Sequence, residues 1–154
     1  MVEIKTDREL LLENVLSFRG IINQVQIQDI GIDMEKVILE AGLQRKGTPV
    51  TATHEMKDGT IDIEILLPVD GDLSRINNEK YKTKKKVHIV NAVVACYFGN
   101  PDGVQEAYDE LNRYIVNNEL QAITVGYNVT KKINPLDIEN TELEIYVGIN
   151  PNIL

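Results

Sequence analysis

The sequence predicts an α+β fold: two β-α-β-β units forming an antiparallel sheet with two helices, and a cleft between the repeats. Three observations carry this expectation. Asp62-Ile-Glu-Ile-Leu-Leu-Pro-Val69 and Glu142-Leu-Glu-Ile-Tyr-Val-Gly-Ile149 share one pattern, acid, apolar, Glu, Ile, then an apolar stretch ending in a turn residue and an aliphatic, at an offset of 80 residues. Upstream of each lies a run rich in Val and Ile, Val15 to Val25 and Val87 to Phe98. Between run and repeat, each copy carries one stripe of apolar residues at helical spacing.

Taken in order, the first helix is predicted from Ile30, Met34, Val37, Ile38 and Ala41, which recur at intervals of three and four. It is expected to stop between Gly42 and Gly47, where Lys46-Gly47-Thr48-Pro49 reads as a loop. Val50 to Met56 then pairs with Thr60 to Leu67 across Lys57-Asp58-Gly59, since Asp-Gly between two strand runs is a strong hairpin signal. In the second copy, Val104, Ala107, Tyr108, Leu111 and Ile115 make the helical stripe. Asn100 is suited to cap that helix, Pro101 to its first position and Asp102 to its positive end, and it should stop near Asn117-Asn118. The closing hairpin pairs Ile123 to Val129 with Glu142 to Ile149 across a longer connection containing Asn134-Pro135. The expected organisation is a single domain over residues 1–154: a first repeat at 14–70, a basic linker at 71–86 and a second repeat at 87–150.

Composition narrows the function. Apolar residues make up 43% and charged residues 26% of 154 positions, as in an ordinary globular domain. No apolar run approaches the roughly 20 residues of a membrane span, and Met1-Val2-Glu3-Ile4-Lys5 lacks the layout of a signal peptide, so the expected location is the cytoplasm with no membrane association. The net charge of −8 is uneven: Arg75 to Lys86 holds six basic residues against Glu79, hence +5, leaving −13 elsewhere. An acidic body repels phosphate backbones, so direct nucleic-acid binding is not expected, while the basic stretch is free to meet an acidic partner. The lone Cys96 cannot form an internal disulfide, and one Cys with two His offers little for zinc; neither metal nor cofactor is expected. Cys96 lies in an apolar run and reads as a small buried hydrophobe, and His54 and His88 read as ordinary strand residues.

Period-two alternation divides the last strand. Leu143, Ile145 and Val147 point to the helix-packed core, and Glu142, Glu144 and Tyr146 the other way. In the first copy Ile61, Ile63 and Ile65 point inward, with Asp62, Glu64 and Leu66 opposite. Carboxylates and tyrosines on one face are suited to a cationic ligand, the carboxylate as counter-charge and the rings for cation–π contact; a plainly solvated sheet face is the alternative.

The second half resembles the GyrI-like domain, also called the AraC-type or multidrug-regulator effector-binding domain. The residues concerned are Val93-Val-Ala-Cys-Tyr-Phe-Gly99, the helix with Ala107-Tyr108 and Leu111, Val125-Gly126-Tyr127 with the following Asn-Pro loop, and the closing Thr141-Glu-Leu-Glu-Ile-Tyr-Val147. The first half is similar to the family's more variable module, and the resemblance spans residues 14–150. It implies a duplicated β-α-β-β fold with a ligand cleft. In drug-binding members a glutamate on the last strand meets the ligand's positive charge, a position matched by Glu144. The preceding strand's tyrosine matches Tyr127, and Tyr146 and Glu64 complete the expected ligand-binding set. Two departures stand out: the family's terminal Pro-Ile is Gly148-Ile149 here, and there is no tryptophan. The resemblance is to standalone members without a DNA-binding module. The expected function is therefore a non-enzymatic small-molecule binding protein, as monomer or homodimer. The alternatives are a protein-interaction module, with gyrase or a neighbouring gene's product as partner, and a hydrolase using Glu144 with a tyrosine.

Overall fold

The computed structural model describes residues 1–152. Its elements run β1 (Val2–Asn23), α1 (Gln26–Glu40), β2 (Val50–Lys57), β3 (Thr60–Pro68), β4 (Lys82–Gly99), α2 (Gln105–Asn117), β5 (Tyr127–Lys132) and β6 (Thr141–Gly148). This is β-α-β-β twice, with antiparallel pairing of the strands within each repeat, and the fold is α+β. The chain divides into two compact units: Leu11–Val87 forms one, and Met1–Leu10 with His88–Leu154 forms the other.

In the unit of residues 11–87, β3 pairs with β1 on one side and β2 on the other. α1 lays Met34 and Ile38, both fully buried, into one cluster with Ile61, Ile63, Ile65 and Leu67, while Ile30, Val37 and Ala41 pack at its margin. The inward set of β3 is the one alternation assigns, but Glu64 and Leu66 on the opposite face are buried too. The helix ends where expected, with Gly42 at φ 75° and the Leu43 N–H returning to Ile38 O at 3.1 Å. It begins earlier than its apolar stripe, at Gln26, whose side-chain carbonyl accepts the Asn23 N–H at 2.9 Å.

The β2–β3 hairpin closes on Asp58 and Gly59, at φ 49° and 81°, the paired left-handed residues of a type I′ turn. A Cβ added at Gly59 would meet nothing within 4 Å. Gly59→Ala should therefore cost only the left-handed backbone penalty, about 1–2 kcal/mol, read as a lower urea midpoint at unchanged slope. An unchanged midpoint would refute the turn's demand for glycine.

Several stretches differ from expectation. β1 starts at Val2, well before Val15, and carries positive φ at Asp7 (55°) and Asn14 (53°); these turn-type residues break up the alternation of the strand. Residues 71–86, expected as a basic linker, are held firmly. Leu73 and Ile76 pack against the core, and Lys82–Lys86 open β4. Tyr81, at 4% exposure, donates its phenol hydrogen bond to Asp33 and meets Phe18 edge-on at 6.2 Å. Widely spaced apolar residues among lysines carry no periodic signal, which is why this packing is silent in the sequence. His54 sits at a register shift between Thr53 and Glu55, and its Nε2 is buried without a hydrogen-bond partner.

In the other unit, β6 pairs with β4 on one side and β5 on the other. α2 buries Ala107, Leu111 and Ile115 against Val93, Ala95, Leu143, Ile145 and Val147, with Val2 and Ile4 at the edge. Asn100 caps as expected, its Oδ1 accepting the Asp102 N–H at 2.9 Å, but it caps a single 3-10 turn at Pro101–Gly103, and α2 begins only at Gln105. β5 starts at Tyr127, later than Ile123, because Ile123 and Thr124 spend their polar groups on Gly148 from outside the ladder. Among the described residues no helix is long and apolar enough to cross a membrane.

Candidate functional site

The face of the β4–β6–β5 sheet opposite α2 carries the chemistry. Residues directly opposite in an antiparallel ladder share a face. Cys96 and Val129 flank Glu144, Val94 and Tyr127 flank Tyr146, and Phe98 flanks Glu142. The β5–β6 register shifts between Thr130 and Lys132, leaving Lys131 as the extra residue of a bulge.

These placements converge on the Glu144 carboxylate. Its Oε1 accepts the Tyr146 hydroxyl at 2.9 Å and lies 3.5 Å from Lys131 Nζ, while Oε2 is 3.7 Å from Cys96 Sγ. Its side chain is 22% exposed, enough to reach a ligand and buried enough for that contact to count. It opens on a cavity of about 500 Å³ walled also by Glu3 and Lys5 from β1, Cys96 and Phe98 from β4, Lys131 from β5, and Glu142 from β6.

The electrostatics follow from this packing. Burial, then the hydrogen bond to Glu144, pushes the Tyr146 phenol well above the ordinary tyrosine range, so it remains a protonated donor. Burial and the nearby Glu144 charge also push the Cys96 thiol up, with Lys5 opposing. A thiol so placed is a poor nucleophile. Among the described residues no group of three or more His, Cys, Asp or Glu is gathered as for a metal ion.

Of the four residues singled out by the sequence, Glu144 lines the cavity, Tyr146 holds Glu144, and Tyr127 stands opposite Tyr146 in the ladder. Glu64 belongs to the other unit, where it is 7% exposed and takes Lys84 Nζ at 2.9 Å. Sequence reasoning missed Lys131 and Cys96 as neighbours of Glu144. Lys131 had a signal, since Tyr127, Val129 and Lys131 alternate along one strand.

No protein-family model and no curated protein matches the sequence. Solved structures do share the fold. EcmrR in its DNA complex superposes with a TM-score of 0.73 at 20% identity, covering 97% of this chain and 57% of that one. The EcmrR C-terminal domain alone gives 0.70 at 20% identity, with 97% of each chain covered. SAV2435 bound to tetraphenylphosphonium gives 0.56 at 12% identity, covering 98% of this chain and 94% of that one. The chain thus spans little more than half of the EcmrR chain and nearly all of its C-terminal domain, and at these identities the likeness is one of fold.

Proposed function

We propose that the chain is a non-enzymatic small-molecule binding protein of the GyrI-like, effector-binding type, and that Glu144 receives the positive group of its ligand. The observation that carries this reading is a partly buried carboxylate, fixed by a protonated tyrosine, on the wall of a cavity large enough for a small organic molecule. Tyr146 orients the carboxylate; it and Tyr127 stand on the same side of the sheet, but neither lines the cavity, whose aromatic wall is Tyr97 and Phe98. The fold shared with SAV2435, which binds the lipophilic cation tetraphenylphosphonium, supports the same class of ligand.

Calorimetric titration with tetraphenylphosphonium is the test. The native chain should bind it, and Glu144→Gln, which keeps the shape and removes the charge, should weaken binding by about tenfold, the size of one charge-assisted contact. Equal affinity in both proteins would place the cation elsewhere. No binding by either, nor by the lysine variants below, would sink the reading.

A further inference from the structure

We infer that Lys131 is a built-in counter-cation that sets the charge selectivity of the Glu144 site, so that an incoming cation binds only in competition with it. This rests on the binding reading above. Lys131 is the bulge residue of β5, so its side chain is released from the ladder register beside Glu144. Its ammonium lies 3.5 Å from Oε1, the oxygen that Tyr146 already holds, while Oε2 meets the weak donor Cys96 at 3.7 Å and Lys5 lines the same cavity. A ligand cation arriving at Glu144 therefore displaces Lys131 or sits within a few ångströms of a like charge, and both lower its affinity.

The lysine side chain is 51% exposed, so it can swing into solvent when displaced. The pairing, though not the cavity, recurs at the equivalent position of the other repeat, where Glu64 takes Lys84 at 2.9 Å within its own unit. In both repeats the carboxylate on the central strand is charge-balanced by the chain itself.

The experiment titrates the intact protein with tetraphenylphosphonium and with its near-isosteric anion tetraphenylborate. Lys131→Met should bind the cation about five times more tightly than the native chain and the anion more weakly. Lys131→Arg, which keeps the charge, should behave like the native protein, and adding Glu144→Gln to Lys131→Met should remove the gain. Cation affinity unchanged or reduced in Lys131→Met, while Glu144→Gln alone still weakens binding, would overturn the role of Lys131 and leave the binding reading standing. Binding confined to Lys131→Met and abolished by Glu144→Gln would support it. Absence of phosphonium binding in all the proteins would overturn both.

Discussion

Leu111→Ala should destabilise the protein by about 3 kcal/mol, within the 2–5 kcal/mol measured for such buried truncations. Leu111 is 1% exposed in the middle of the α2 stripe, between Ala107 and Ile115, and enters the cluster formed by Val93, Ala95, Leu143, Ile145 and Val147. Ala107 is too small to compensate, and Ile115, at 9% exposure, lies nearer the rim. The strands beneath cannot close over the hole, because their spacing is fixed by the β4–β6 ladder. Urea unfolding should show a lower midpoint at unchanged slope. Against a typical total of about 5–15 kcal/mol the loss is large. Binding of tetraphenylphosphonium by the folded fraction should persist, since Leu111 packs on the face of the sheet opposite Glu144. A loss below about 1 kcal/mol would mean that α2 contributes little to the core.

The parts of the fold that sequence made legible are those where one periodic signal dominates. Both helices lie over their apolar stripes, and the Asp58-Gly59 turn falls where its dipeptide demands. The inward set Leu143, Ile145 and Val147 is buried as alternation requires. Illegible parts are those where tertiary partners override the local pattern. Asp7 and Asn14 bend β1 without ending it, and Tyr81 anchors a stretch that reads as solvated charge. At the site, alternation put Glu144 and Tyr146 on one face. It did not show that Cys96 and Lys131 would come from neighbouring strands to the same carboxylate, because that depends on cross-strand register and on the bulge after Thr130. Glu64 shares with Glu144 both its pattern and a lysine partner, but it is the more deeply buried of the two and holds Lys84 more closely, at 2.9 Å against 3.5 Å for Lys131.

Gly148→Pro should cost about 2–4 kcal/mol, although proline stands at the matching place of the first repeat and in the family that the sequence resembles. Pro68 has no N–H to give, and its carbonyl accepts the Lys46 N–H at 2.7 Å. Gly148 uses both of its backbone groups. Its N–H donates to Thr124 Oγ1 at 2.9 Å, and its carbonyl accepts the Ile123 N–H at 2.8 Å. A Cβ here would lie 2.8 Å from Thr124 Cγ2 and 3.1 Å from Ile89 Cγ2. Proline thus removes a hydrogen bond worth about 1 kcal/mol and overpacks the position by about 1–3 kcal/mol. Gly148→Ala separates the two effects, because it adds the Cβ and keeps the N–H. The alanine variant should lose only the packing share, so the gap between the two urea midpoints measures the bond to Thr124. Equal midpoints for Pro and Ala would assign the whole cost to packing. A Gly148→Pro protein as stable as the native chain would show that the Ile123–Thr124 segment is held to β6 by something other than Gly148.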